Sequence, residues 1–264
     1  MKTIIKVNSI LFIALILLAG CSKEKEGVTP EVLDAKFEVT VSGDAPNATI
    51  TINNNSTAAT SYEWTFGEGA SISASNEKSP TLSVEKAGGL EITLKTSDGK
   101  KEATTIKTLV IPGHSAISAF ADVEFSITGG DATYGRFFST QSGLGYKNNE
   151  VTADNGAGID IAFNSFDGII NLFETPTASK YNIPNATHST FVNYVTSAFD
   201  VANFDSMATD QLLDNLDLTG DLGSFPGTYK GVILFENANG KKGVIKVKDV
   251  DSKRILVDIK IQKY

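Results

Sequence analysis

Ser61-Tyr62-Glu63-Trp64-Thr65-Phe66-Gly67-Glu68-Gly69 is the stretch from which the fold is read. Tyr62, Trp64 and Phe66 recur at every second position, the period of a β-strand, so their rings leave the strand on one face. Trp64 is the sole tryptophan of the chain. A ring of that size on an alternating strand is expected to pack against an opposing sheet rather than stack on a ligand. Gly67 and Gly69 supply the backbone freedom that a tight turn at the end of the strand requires. No helical pattern follows this Gly-x-Gly, so it gains no support as a phosphate cradle.

Outward from this stretch the two-residue period recurs in short runs. Phe37-Glu38-Val39-Thr40-Val41 and Ala48-Thr49-Ile50-Thr51-Ile52 alternate cleanly, and Asn53-Asn54-Asn55-Ser56 makes a turn after the second. Leu90–Thr96 and Thr104–Ile111 flank Ser97-Asp98-Gly99-Lys100, where Asp-Gly is a strong hairpin signal. Strands at roughly eight- to twelve-residue spacing, without a competing helical period, predict a small β-sandwich over residues 35–112. The central stretch resembles the WDFGDG strand of polycystic-kidney-disease (PKD) repeats, and NNNSTAATSYEW stands where that family has its asparagine-rich lead-in. Ser79-Pro80-Thr81-Leu82 is similar to the family's proline turn, and Glu85–Leu94 to its G-x-Y-x-V-x-L strand, with Leu90 in place of the tyrosine. The resemblance implies an Ig-like fold and a spacer or interaction role, that is, presentation rather than chemistry.

The N-terminus carries an address. Lys2 and Lys6 precede an apolar run, Ile10–Leu18, which is too short to cross a bilayer core of roughly 30 Å as a helix and has the form of a signal peptide. Leu18-Ala19-Gly20-Cys21 resembles the lipobox of bacterial lipoproteins. That resemblance implies cleavage after residue 20, acylation of Cys21 and attachment to a membrane by several acyl chains. Ser22 rather than Asp follows the cysteine, which in the bacterial sorting rule implies delivery to the outer membrane; Glu24 and Glu26 resemble the acidic surface-export signal of Bacteroidota lipoproteins. Residues 21–34 read as a lipidated tether.

Residues 113–264 form the second expected domain, with Ile111–Ser115 as a short linker. Phe120–Ile127, Tyr134–Thr140, Gly158–Phe163 and Gly168–Phe173 read as strands. Phe191, Tyr194, Val195, Ala198 and Phe199 then recur at spacings of three and four, which predicts an amphipathic helix beginning near Ser189. Met207, Leu212, Leu213 and Leu216 predict a second, shorter one after Ser206. Lys230–Glu236, Lys241–Val250 and Ile255–Gln262 close the chain as strands; in the last of these Val257, Ile259 and Ile261 face one way and Asp258, Lys260 and Gln262 the other. The expected fold class is mainly β: an Ig-like sandwich followed by a β-rich α+β domain with antiparallel sheet and one or two helices.

Composition limits the function. A formal charge of −8 argues against nucleic acid as a partner, because phosphate neutralisation needs a basic face. The single cysteine excludes an intramolecular disulfide and a cysteine-based zinc cluster. Residues 113–223 hold 14 acidic and 3 basic residues, whereas 224–264 hold 4 acidic and 9 basic, an asymmetry that reads first as two halves neutralising each other in the fold. Asp205, Asp210, Asp214, Asp217 and Asp221 do not follow the calcium-loop pattern, and Asp210 and Asp214 at helical spacing read as a solvent-facing stripe, so no metal is expected. There is no GxSxG and no HExxH, only His114 and His188 are available as neutral-pH bases, and a pair such as Asp160 and Asp167 has no distinguishing context. No catalytic residue and no cofactor are expected.

Two further resemblances concern the second domain. The order of YGRFFST, GIDIAF and the closing ENANGKKGVIKVKDV strands resembles HmuY-type haem-binding lipoproteins, in which case His188 and Met207 would be the axial ligands. The layout of anchor, Ig-like spacer and distal β domain is similar to surface glycan-binding lipoproteins, which implies sugar platforms at Tyr134, Phe138, Tyr146 and Tyr181. Asp205-Ser206-Met207 resembles an O-glycosylation motif of exported Bacteroidota proteins, although Ser206 is equally well placed to cap a helix. The expected reading is a non-catalytic, surface-exposed outer-membrane lipoprotein. Its partners are the membrane, through Cys21, and extracellular polysaccharide or another envelope protein; haem capture and a purely structural or adhesive role are the alternatives.

Overall fold

The alternation around Trp64 becomes a seven-stranded sandwich. Its strands are β1 (Phe37–Ser42), β2 (Ala48–Asn54), β3 (Ser61–Phe66), β4 (Ala74–Ser75), β5 (Thr81–Val84), β6 (Gly88–Ser97) and β7 (Glu102–Ile111). Three of them form a sheet in the order β1-β2-β5 and four a sheet in the order β4-β3-β6-β7, with every pairing antiparallel. The computed structural model describes residues 31–127, 133–195, 199–219 and 223–264; the signal-like run, Cys21 and most of the tether lie outside them. Trp64 is fully buried and meets Phe37 of the opposite sheet edge-on, with ring centroids 5.1 Å apart. Its indole N–H donates to the Glu77 carbonyl at 2.9 Å, so burial leaves no polar atom of the ring unpaired. Gly69 has φ +91°, as a tight turn requires, whereas Gly67 lies close to the neighbouring strand, where a Cβ would make a tight contact of 3.3 Å with the Glu91 amide nitrogen.

The second domain is also a sandwich. Its strands are β8 (Ile117–Ser126), β9 (Phe137–Ser139), β10 (Leu144–Tyr146), β11 (Ile161–Phe166), β12 (Ile170–Glu174), β13 (Thr190–Val192), β14 (Phe225–Pro226), β15 (Val232–Glu236), β16 (Lys242–Val250) and β17 (Arg254–Gln262). Two short helices, α1 (Val201–Ser206) and α2 (Gln211–Asp214), lie between β13 and β14. The strands form two five-stranded antiparallel sheets, β10-β9-β11-β12-β14 and β13-β15-β16-β17-β8. Phe125 of the second sheet meets Phe173, Phe163 and Phe138 of the first at 5.3, 5.7 and 6.4 Å, so the core is an aromatic layer continuous across the gap.

The helix expected from Ser189 does not form. Thr190–Val192 is β13, paired with β15 so that Phe191 lies opposite Phe235. Beyond it the Asn193 amide accepts from the Phe173 N–H at 2.6 Å and donates to the Phe173 carbonyl at 2.8 Å, joining the two sheets. Of the other spaced residues, Tyr194 meets the Tyr229 ring at a tilt with centroids 4.9 Å apart, Phe199 packs beside α1, and Ala198 lies outside the described residues. Cross-strand aromatic pairing and the Asn193 clamp win over the three-and-four spacing. The shorter helix expected after Ser206 forms as α2, which carries Leu212 and Leu213, and α1 precedes it. Asp200 is the N-cap of α1, accepting from Asn203 N at 3.0 Å, and Ser206 is its last residue.

The charge asymmetry resolves as mutual neutralisation. The Lys260 ammonium donates to the Phe204 and Met207 carbonyls at 2.8 Å each and so closes the C-terminal end of α1. Lys242 donates to the Asp214 and Leu216 carbonyls beside α2, and Lys246 pairs with Asp205 at 2.5 Å. The basic β16–β17 hairpin is thus the bed on which the acidic helical segment rests.

Residues Leu33–Tyr264 form one compact unit, and the connector between the sandwiches is fully engaged. Ala116 N donates to the Glu85 carbonyl at 2.8 Å, Ala87 N to the Ser115 hydroxyl at 3.1 Å, and Ser115 N to the Asp210 carboxylate at 2.8 Å. Lys263 and Tyr264 both reach the Glu85 carboxylate, the tyrosine at 3.0 Å. Gly113, at φ +101°, packs so closely that a Cβ would lie 2.6 Å from the Ala45 carbonyl oxygen. The two sandwiches are therefore expected to unfold together. Phe125→Ala should cost about 3–5 kcal/mol and should shift Trp64 fluorescence, which reports the first sandwich, along with far-UV circular dichroism in a urea titration. Separate midpoints for the two probes would show that the halves unfold independently.

Candidate functional site

The first strand pair of the second sandwich builds an open groove. Gly135 makes it possible: a Cβ there would lie 2.4 Å from the Tyr146 carbonyl oxygen, so only glycine lets β10 approach this segment. The Gly135 carbonyl accepts from Ser126 N at 2.8 Å and Arg136 N donates to the Tyr146 carbonyl at 3.0 Å, which fixes Tyr134 and Tyr146 relative to β8 and to each other. The groove has a volume of about 480 Å³ and is lined by Asp122, Glu124, Tyr134, Phe138, Tyr146, Lys147 and Glu150 together with Gly143 and Gly145. Three of the four expected sugar-platform residues meet here. Tyr134 and Tyr146 are half-buried, and the Tyr146 hydroxyl lies 3.3 Å from that of Ser142. Phe138 corrects the expectation: it is 2% exposed, packs on Phe120 and Phe125, and is the floor under the groove rather than a face within it.

Two of the groove's carboxylates are ion-paired. Asp122 sits at a bulge between β8 and β17 with φ +55°, its N–H donating to Asp258 and its carboxylate paired with Lys248 at 2.6 Å. Glu124 pairs with Arg254, whose guanidinium also lies 5.9 Å over the Tyr134 ring. Two aromatic faces with hydroxyl handles suit stacking and hydrogen bonding to a polar surface.

A second depression, of about 370 Å³, has Thr140, Asp160, Thr187, Asn237 and Gln262 on its walls beside Ala157, Ala238 and Ile261. Asp160 is buried and accepts from Thr140 N at 2.9 Å, from the Thr140 hydroxyl, and from Asn237 Nδ2 at 3.2 Å. Burial pushes its pKa above the ordinary carboxylate range despite these bonds. The residue locks the β9–β10 turn of one sheet to the β15–β16 turn of the other. It makes no catalytic pair with Asp167, because the two flank opposite ends of β11.

The remaining expectations are dispersed. Tyr181 stands outside the groove, edge-on to Phe137 at 5.2 Å, with its hydroxyl donated to Glu174. His188 is exposed with Nδ1 3.3 Å from the Thr175 hydroxyl, while Met207 is buried among Phe204, Leu213 and Val232. One of the two thus stands at the surface and the other within the core. His188 precedes a strand, not a helix. Ser206 is exposed and donates to the Asn203 carbonyl at 3.1 Å. Asp210 is buried rather than part of a solvent stripe; burial, then the charge of Asp214, raises its pKa. His114, Asp210 and Asp214 offer three ligand atoms within 4.8 Å of one another. Sequence reading missed this group because nearly a hundred residues separate His114 from the aspartates. His114 Nδ1 lies 3.9 Å from Asp214 Oδ2, and Ser115 N and Gln262 Nε2 bond the two carboxylates.

Asp160 gives a pH signature. Its folded-state pKa is raised above the ordinary 3.8, so its stabilising contribution is complete below the unfolded value and is lost as pH rises through the folded value. Relative to Asp160→Asn, the wild-type chain should lose stability as pH rises through that window and then level off. Denaturant titrations between about pH 3 and pH 7 measure this; a wild-type advantage that grows with pH contradicts it.

Comparison with known proteins adds a family and two structures. Residues 36–111 match the family model described as PKD domain. The PKD1 domain of the Vibrio cholerae metalloprotease PrtV is 31% identical, spans 31% of this chain and 100% of that one, and gives a TM-score of 0.27. A DUF4466 family protein from Parabacteroides merdae ATCC 43184 is 12% identical, spans 89% of this chain and 100% of that one, and gives a TM-score of 0.39. No curated protein matches the chain.

Proposed function

From the premise that this chain belongs to the PKD family through residues 36–111, we propose that its first sandwich is a spacer presenting the second for non-catalytic recognition of a glycan or surface polymer. The observation that carries the reading is the convergence of Tyr134 and Tyr146 on one open groove, with Phe138 as its floor. Half-buried tyrosines supply an apolar face and a hydroxyl at low conformational cost, and an open groove admits an extended polymer. The hydrogen-bonded connector holds that groove at a fixed attitude to the spacer. We further propose that Cys21 is acylated and anchors the protein in the outer membrane, facing outward.

Two measurements test the proposal. In native gels cast with polysaccharide, the wild-type chain should be retarded, and Tyr134→Ala and Tyr146→Ala should each weaken the interaction about tenfold, equivalent to about 1.4 kcal/mol. Absence of retardation in every gel favours a structural or adhesive envelope role instead. On intact cells, external protease should remove the protein, and Cys21→Ala should release it from the membrane fraction; protection until lysis would overturn the outward orientation.

A further inference from the structure

The acidic stretch 113–223 contains three basic residues, Arg136, Lys147 and Lys180, and the fold gathers them. Lys147 lines the tyrosine groove; the next residue, Asn148, walls a neighbouring depression of about 190 Å³ that Arg136 and Lys180 also line, with Tyr181, Asn182 and Pro184. The Lys147–Glu150 turn is thus the partition between the two.

Arg136 is the informative residue. Its side chain is half-buried, its Nε is buried without a hydrogen-bond partner, and Nη2 donates to Asn164 Oδ1 at 3.2 Å. The guanidinium lies 5.7 Å over the Tyr181 ring. Among the described residues no carboxylate lies within 4.0 Å of it, although the chain carries a surplus of eight negative charges and pairs Arg254 with two carboxylates. The nearby Glu174 is taken, since it pairs with Lys180 at 2.5 Å and accepts from the Tyr181 hydroxyl. Partly burying a guanidinium without a counter-ion is costly, and here it is done at the wall of a depression that also presents two amides, with the Lys180 ammonium, shared with Glu174, on its rim. A planar guanidinium beside such donors is matched to the oxygens of a carboxylate or sulfate.

We propose that this depression binds the carboxylate or sulfate group of an acidic polysaccharide whose chain lies along the adjoining tyrosine groove. The assignment rests on the glycan-binding reading and specifies the class of glycan. Arg136 holds the anion, and Lys180, Asn148 and Asn182 complete its surroundings. An acidic protein repels polyanions as a whole, so retention by one requires a local basic site and is not explained by net charge.

The full chain is run in native gels containing neutral dextran, polygalacturonate or dextran sulfate at one ionic strength. The expected result is stronger retardation by one of the polyanions than by dextran, with the choice between them identifying carboxylate or sulfate. Arg136→Gln and Lys180→Gln should each weaken that retardation tenfold or more. Lys180 is on the exposed rim, so its variant reports on binding even if Arg136→Gln disturbs folding, and Trp64 fluorescence with circular dichroism verifies the fold of both. Equal retardation by dextran in wild type and variants overturns the anionic assignment while leaving the glycan reading intact. Polyanion retardation untouched by both substitutions overturns the assignment to this depression. Absence of retardation in all three gels overturns the glycan reading and the assignment with it.

Discussion

Phe125 meets three phenylalanine rings across the space between two sheets, and the second sandwich is organised around that contact. The described residues contain no cysteine, so sheet-on-sheet burial must hold this half together without covalent help. The same layer also sets the functional surface. Phe138 makes edge contacts with the Phe125 and Phe120 rings and also lines the groove. Its flanking residues, Arg136 and Tyr134, are therefore placed by the core and not by a free loop.

Burial and charge cooperate on the other side of the sandwich. Within the β16–β17 hairpin, β17 alternates strictly, with Val257, Ile259 and Ile261 turned into the core and Lys260 turned out. Lys242 and Lys260 do not remain in solvent. They cap the carbonyl ends of two helices too short to be stable alone, which explains how six- and four-residue helices persist there. What looks in the linear sequence like an acidic region and a basic region is a docked pair, whereas the three scattered bases of the acidic region collect at the opposite sheet.

The legibility of this chain follows the range of the interactions involved. Strands whose faces differ in polarity, such as Phe37–Ser42 and Arg254–Gln262, are readable because alternation is a local property. The PKD sandwich is readable for the same reason, sharpened by one tryptophan beside a glycine turn. Thr190–Val192 was not readable as a strand, because its identity depends on Phe235 and on the Asn193 clamp to Phe173, neither of which leaves a mark on local spacing. The candidate site divides in the same way. Tyr134 and Tyr146 stood out as aromatics, but Phe138 could not be told from them, since burial is decided by Phe125 and Phe120. Arg136 gave no signal, because a missing counter-ion is visible only when all neighbours are in place.

The connector has a mechanical meaning. A pull exerted on the groove leaves the second sandwich through β8, which runs alongside β17 from Ile117 to Ser126, and then passes Ala116 and its bond to Glu85. Load applied along such a strand falls on many of its lateral hydrogen bonds simultaneously instead of opening them in succession. The Lys263 and Tyr264 grip on Glu85 ties the end of β17 to the same point, so the strand that bears the strain and the strand that resists it share an abutment. Held in this way, the two sandwiches transmit tension as a strut, not as a string of beads.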